Sequence, residues 1–144
     1  MWSKTVQARL ENLQELLRRV SACAEAQGFS RKRIREIELV TEEALVNIFQ
    51  HAYLEGESGD VEIHCEGGGE GVLVITLRDT GNPFEIQSLP EPDLKASVSD
   101  RKIGGLGVFL IRKLTDKVEY RREGNQNVLT LAFSEGRGEK NGKR

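Results

Sequence analysis

Ile37-Glu38-Leu39-Val40-Thr41-Glu42-Glu43-Ala44-Leu45-Val46-Asn47, running on to His51-Ala52-Tyr53, combines an apolar helical period with two polar residues four apart. At about 100° per residue, Ile37, Val40, Ala44, Ile48 and Ala52 share one arc, the core face of a long helix. Glu36, Glu43, Asn47 and Gln50 fall on an adjacent strip. Glu43 and Asn47 are four positions apart, so their side chains stack on one face, with Asn47 near the border of the apolar arc. An amide and a carboxylate held together at the margin of a core can serve a metal and a reacting hydroxyl. Asn offers Mg²⁺ a neutral oxygen beside phosphate oxygens, and Glu can orient or deprotonate a nucleophile. A plain amphipathic helix with its polar residues outside carries the same pattern.

Toward the N-terminus, Ser30 is a good N-cap for this helix, which should run from about Arg31 to Tyr53. Phe29 and Ile34 match a hydrophobic staple. The basic run Arg31-Lys32-Arg33-Ile34-Arg35 reads as a solvated helix start. Gly28 suits the left-handed residue that ends an earlier helix. That helix carries Leu10, Leu13, Leu16, Leu17, Val20 and Ala24 on one stripe. Ser3 to Ala8 fits a short edge strand.

Toward the C-terminus, Gly56, Ser58 and Gly59 mark a loop. Val61–Cys65 alternates with period two, Gly67–Gly71 is a flexible hairpin connection, and Val72–Leu77 reads as a β-branched central strand. Residues 84 to 103 have no period, which marks a lid or an insertion. Gly104-Gly105-Leu106-Gly107 opens a short apolar helix through Leu114. Strands Lys117–Arg121 and Val128–Phe133 flank a turn at Glu123-Gly124-Asn125. The order β-α-α-β-β-loop-α-β-β, with its hairpins, predicts an α+β two-layer sandwich. Helices cover one face of a mixed, mostly antiparallel sheet. Residues 1–134 form one domain, and 135–144 are a charged, Gly-rich tail expected to be disordered.

Asp79 ends an apolar strand, where a lone carboxylate is costly to bury without a donor. The amino group of an adenine is one donor, and Gly81 would let a flat ring come close. Asp79-Thr80-Gly81-Asn82-Pro83 is also good turn chemistry. The glycines at 104, 105 and 107, closing a long loop and opening a helix, present free N–H groups and the positive end of a helix dipole, a combination that binds phosphates. No Lys-Ser/Thr follows them, so they are not a Walker A motif.

Bulk composition fits a soluble single domain of 144 residues: 38% hydrophobic, 31% charged and a net charge of -2. That balance argues against a broad nucleic-acid footprint. No apolar run approaches the ~20 residues a membrane helix needs, and the first residues lack a signal-peptide core. Cys23 and Cys65 lack metal-ligand spacing and read as free thiols of a reducing compartment. A cytoplasmic protein is expected.

Taken in order, Glu43-x-x-x-Asn47, Asp79-x-Gly81 and Gly104-Gly105-x-Gly107 resemble the N, G1 and G2 boxes of the Bergerat-fold ATPases, the histidine-kinase-like superfamily. The likeness runs from about Val6 to Phe133. Within the superfamily, Ile37–Asn47 with His51-Ala52-Tyr53, Asp79–Phe84 and Gly104–Asp116 look like the boxes of the bacterial anti-sigma-factor serine/threonine kinases. Pro83, in place of a second glycine in the first glycine box, is similar to that branch and unlike histidine kinases.

The resemblance implies ATP and Mg²⁺ as cofactors. Glu43 would be the base aimed at a protein serine, Asn47 the Mg²⁺ ligand and Asp79, with Gly81, the adenine site. The amides of Gly104, Gly105, Leu106, Gly107 and Val108 would cradle phosphates. Thr130 would line the adenine pocket. Residues 84 to 103 would be the ATP lid, with Arg101 or Lys102 near the γ-phosphate. His51, one turn past Asn47, either faces the site or is structural. The implied partners are an anti-sigma-factor antagonist, phosphorylated on serine, and a sigma factor held by the unoccupied kinase. A homodimer is implied as well, with no direct nucleic-acid or membrane contact. A non-catalytic, ATP-dependent protein-binding switch is the alternative.

Overall fold

The computed structural model describes residues 1–53, 59–69, 71–83 and 105–135. Five strands and three α-helices follow one another as β1 (Trp2–Gln7), α1 (Leu13–Ala26), α2 (Arg31–His51), β2 (Asp60–Gly67), β3 (Val72–Asp79), α3 (Gly105–Leu114), β4 (Lys117–Glu123) and β5 (Gln126–Ser134). The sheet order is β1-β2-β3-β5-β4. All four pairings are antiparallel, so the parallel component of the expected mixed sheet is absent among the described strands. The two-layer α+β sandwich is borne out.

Alternation decides which sheet face is covered. Leu73, Ile75, Leu77 and Asp79 on β3, with Leu129, Leu131 and Phe133 on β5, are buried. They pack with Val61, Ile63 and Cys65 of β2 into one core that also takes Leu16, Val20, Ile37, Val40 and Leu45 from the helices. Cys65 is buried and Cys23 half-buried, both as free thiols. Burial, and Cys23 beside it, push the Cys65 thiol up, which keeps it protonated and inert. Among the described residues no helix is long and apolar enough to cross a membrane.

Local signals in the sequence work as their chemistry requires. The Ser30 hydroxyl accepts from the Arg33 N–H at 3.2 Å and caps α2. Gly28 has φ +88°, where a side chain would be strained. Helix α2 ends at His51, two residues before the expected Tyr53. Leu10 departs from its expected stripe: it lies in a 3₁₀ turn at Leu10–Asn12 and is 61% exposed. A tighter winding there rotates it off the α1 face.

Arg31, Lys32 and Arg35 of the basic run are exposed as a solvated face requires, but Arg33 is not. It is 2% exposed. Its guanidinium donates to the Ser134 carbonyl at 2.9 Å, the Leu114 carbonyl at 2.8 Å, Glu36 at 2.7 Å and Asp116 at 2.9 Å. It also lies over the Phe133 ring. The start of α2, the end of α3 and the end of β5 are thereby tied at one point. Glu135, expected in the tail, accepts from the Ser30 N–H at 2.8 Å. The rest of that tail, residues 136–144, lies outside the described residues.

Candidate functional site

Helix α2 lies between α1 and α3 and carries the site along its length. Near its middle, Glu43 is half-buried against the first turn of α3. A β-carbon added at Gly107 would collide with the Glu43 carboxylate. That absence of a side chain lets the acid and the opening of α3 touch. The first N–H groups of any helix lack intrahelical partners, and the carboxylate stands beside that end of α3. Burial, and then the neighbouring Glu42, raise the Glu43 carboxyl above the ordinary carboxylate range.

One turn further on, Asn47 is 6% exposed. Its amide nitrogen is buried without a hydrogen-bond partner, one of two such side-chain groups among the described residues, with Thr115 Oγ1. A buried unpaired donor costs about 1–3 kcal/mol. Such an orphan fits a polar occupant. Asn47 lines a cavity with Ala44, Ile48, His51 and Ala52 of α2, Leu77 and Asp79 of β3, Tyr120 of β4, and Asn127 and Leu129 of β5. Its interior is about 30 Å³, and the whole mouth, open to solvent, spans about 430 Å³. The interior has room for ordered water.

At the far end, Asp79 is 4% exposed. Its Oδ1 accepts from the Gly81 N–H at 2.8 Å and from Asn127 Nδ2 at 2.8 Å. The close approach that Gly81 permits is first of all to protein. A β-carbon there would strike the Ala52 carbonyl, and the Asn82 N–H donates to that carbonyl at 2.6 Å. Tyr53 braces the same turn, accepting from the Thr80 N–H at 3.1 Å and donating to the Asp60 carbonyl at 2.7 Å. Asp79 takes part in the turn, and it also lines the cavity.

The structure thus brings Asn47, His51 and Asp79 to one cavity, with Gly81 bonded to Asp79, and sets Glu43 against Gly107 one turn back along α2. Gly105 and Leu106 open α3, and Val108, which follows, is buried. Thr130 is not brought in. It pairs with Thr76 and Glu119, between Leu129 and Leu131, which face the helices. Alternation therefore turns Thr130 to the other face of the sheet. The β5 residue beside Asp79 is Asn127, which sequence reasoning missed along with Tyr120 and Arg122. Arg101, Lys102, Gly104 and the expected lid at 84 to 103 lie outside the described residues. Among the described residues no group of three or more His, Cys, Asp or Glu side chains is placed to hold a metal.

Comparison with known proteins gives the family. Residues 6–133 fit the histidine kinase-like ATPase domain. The chain is 33% identical to the serine-protein kinase RsbW of Halalkalibacterium halodurans, over 83% of this chain and 74% of that protein. RsbW of Bacillus subtilis is 30% identical, over 80% and 72%. Among solved structures, the RsbU and RsbW domains of Rv1364c from Mycobacterium tuberculosis align with a TM-score of 0.61 at 13% identity, over 93% of this chain and 32% of that one. A histidine kinase domain from Erythrobacter litoralis EL346 aligns at 0.56 and 19% identity, over 89% and 63%. The chain belongs to the histidine kinase-like ATPase domain family, among the relatives of the RsbW serine-protein kinases.

Proposed function

We propose that this chain is an ATP-dependent protein serine/threonine kinase that phosphorylates an anti-sigma-factor antagonist and, when free of it, holds a sigma factor. The observation that carries the reading is the contact of the Glu43 carboxylate with the glycine turn that opens α3, one helical turn from the orphaned Asn47 amide. The relatives' names, serine-protein kinase, support the same reaction.

In this reading ATP lies along the second half of α2, with its phosphates toward the middle of the helix and its base toward the C-terminal end. Asp79 accepts from the adenine amino group, and the N–H groups of Gly105, Leu106, Gly107 and Val108 face the phosphates. Asn47 would hold Mg²⁺, and the ion would neutralise charge on the phosphates. Phosphoryl transfer asks mainly for positioning and electrostatic stabilisation. Glu43 takes the proton of the attacking serine as its oxygen forms a bond to the γ-phosphorus and the bond to ADP breaks. The raised carboxyl of Glu43 suits a base better than an ordinary glutamate would. The phosphoserine adds roughly -2 of charge, which weakens the antagonist's hold and frees the kinase for its sigma factor.

The test is transfer from labelled ATP to a serine of the purified antagonist. Serine labelling by the wild-type chain is expected. ATP binding without transfer to the true partner, with regulation intact in Glu43→Ala, would replace the kinase by a non-catalytic switch.

A further inference from the structure

Asn127 stands beside Asp79 with its own bonding complete. Its nitrogen has two donors, which reach Asp79 Oδ1 at 2.8 Å and the Asn82 carbonyl at 2.7 Å. Its oxygen accepts from the Tyr120 hydroxyl and, at 3.1 Å, from Arg122 Nη1. A guanidinium can only donate, so turning the amide round would set N–H against N–H. Arg122 is anchored in its turn on the Gly81 carbonyl at 2.7 Å. Asn127 is 5% exposed. An amide used on both sides has nothing left to offer a ligand directly. What it acts on is the carboxylate next to it.

We propose that Asn127 is a positioning residue that sets the base selectivity of the cavity. Together with the Gly81 N–H, its donor occupies Oδ1 of Asp79 and fixes that carboxylate as an acceptor whose other oxygen meets the base. The cavity then selects a base with an exocyclic amino group and rejects one with a carbonyl at the same place, because two oxygens would be set against each other. A buried polar site rejects a mismatched analogue far more strongly than an apolar one does. The inference rests on the nucleotide reading of the site.

Calorimetric titration with Mg-ATP and Mg-ITP tests it, since ITP carries a carbonyl where ATP carries the amino group. The wild-type chain should bind ATP about tenfold or more tighter than ITP. Asn127→Asp puts an oxygen at the 2.8 Å separation now spanned by an N–H donor. Two carboxylates so close must share a proton, and the pair can then donate as well as accept. The ATP/ITP ratio should fall by about tenfold or more, with the circular dichroism unchanged. A folded Asn127→Asp chain that keeps the wild-type ratio, even with both affinities lowered, overturns the proposal. If that variant does not fold, the pair Tyr120→Phe with Arg122→Met decides, because together they remove both donors that orient the amide. The ratio of the double variant should fall measurably, and an unchanged ratio overturns the proposal. A wild-type chain that binds neither nucleotide would instead reject the nucleotide reading, and this inference with it.

Discussion

Glu43 and Gly107 depend on each other, and their coupling can be tested from either side. Glu43→Gln removes the base and should lower phosphoryl transfer about 10²–10⁴-fold in a single-turnover assay, with ATP still bound. The sign of its effect on stability follows from the direction of the pKa shift. A carboxyl raised in the folded state contributes stability below its unfolded pKa and loses it as pH rises through the folded value. At neutral pH the ionised Glu43 is therefore a cost, and thermal unfolding of Glu43→Gln should show a melting temperature no lower than wild type. The rate of transfer should fall as pH drops through this raised value, on a limb above the ordinary glutamate range of about 4.3. Gly107→Ala approaches the same contact from the helix. The added methyl meets the far end of a flexible side chain, so the fold should persist while the carboxylate swings away. A displacement of this size costs about 10²-fold in rate, measurable in the same assay.

Between elements, Arg33 joins what the backbone leaves apart. Its bonds to the Leu114 carbonyl and Asp116 hold the C-terminal end of α3, and a helix fixed at one end presents its other end in a fixed direction. Arg33→Met should destabilise the fold by about 3 kcal/mol or more, because buried carbonyls and a carboxylate lose their donors together. Urea denaturation would measure it. The sequence shows why this residue was legible only in part. The N-cap Ser30, the left-handed Gly28, the alternation of β2 and β3 and the glycines opening α3 are local patterns, and each element was found from them. The partners of Arg33 at positions 114, 116 and 134 are distant in sequence, and a helix-start arginine looks solvated until they are placed. Asn127 was invisible for the same reason. Its partner Asp79 is 48 residues away; alternation within β5 turns Asn127 and not Thr130 to the helices, but strand register, which no single strand encodes, decides that Asn127 meets Asp79.

At the scale of the whole molecule, the cavity draws its walls from α2, β3, β4 and β5 together, so nucleotide binding should stabilise the fold as a unit. Mg-ATP at about 100 times its dissociation constant should add about 2.7 kcal/mol, read as a raised melting temperature in a thermal scan. A single shifted transition is expected, since one core runs beneath all the strands. The sheet order β1-β2-β3-β5-β4 puts the last described strand between two earlier ones. On a ribosome, β4 would emerge with no strand to pair with, and β3 with one side bare, until residues 126–134 arrived. A nascent chain stopped short of them would lack Asn127 and one wall of the cavity, so ATP could not rescue it. For this topology the cavity gains its last wall only when β5 pairs between β3 and β4.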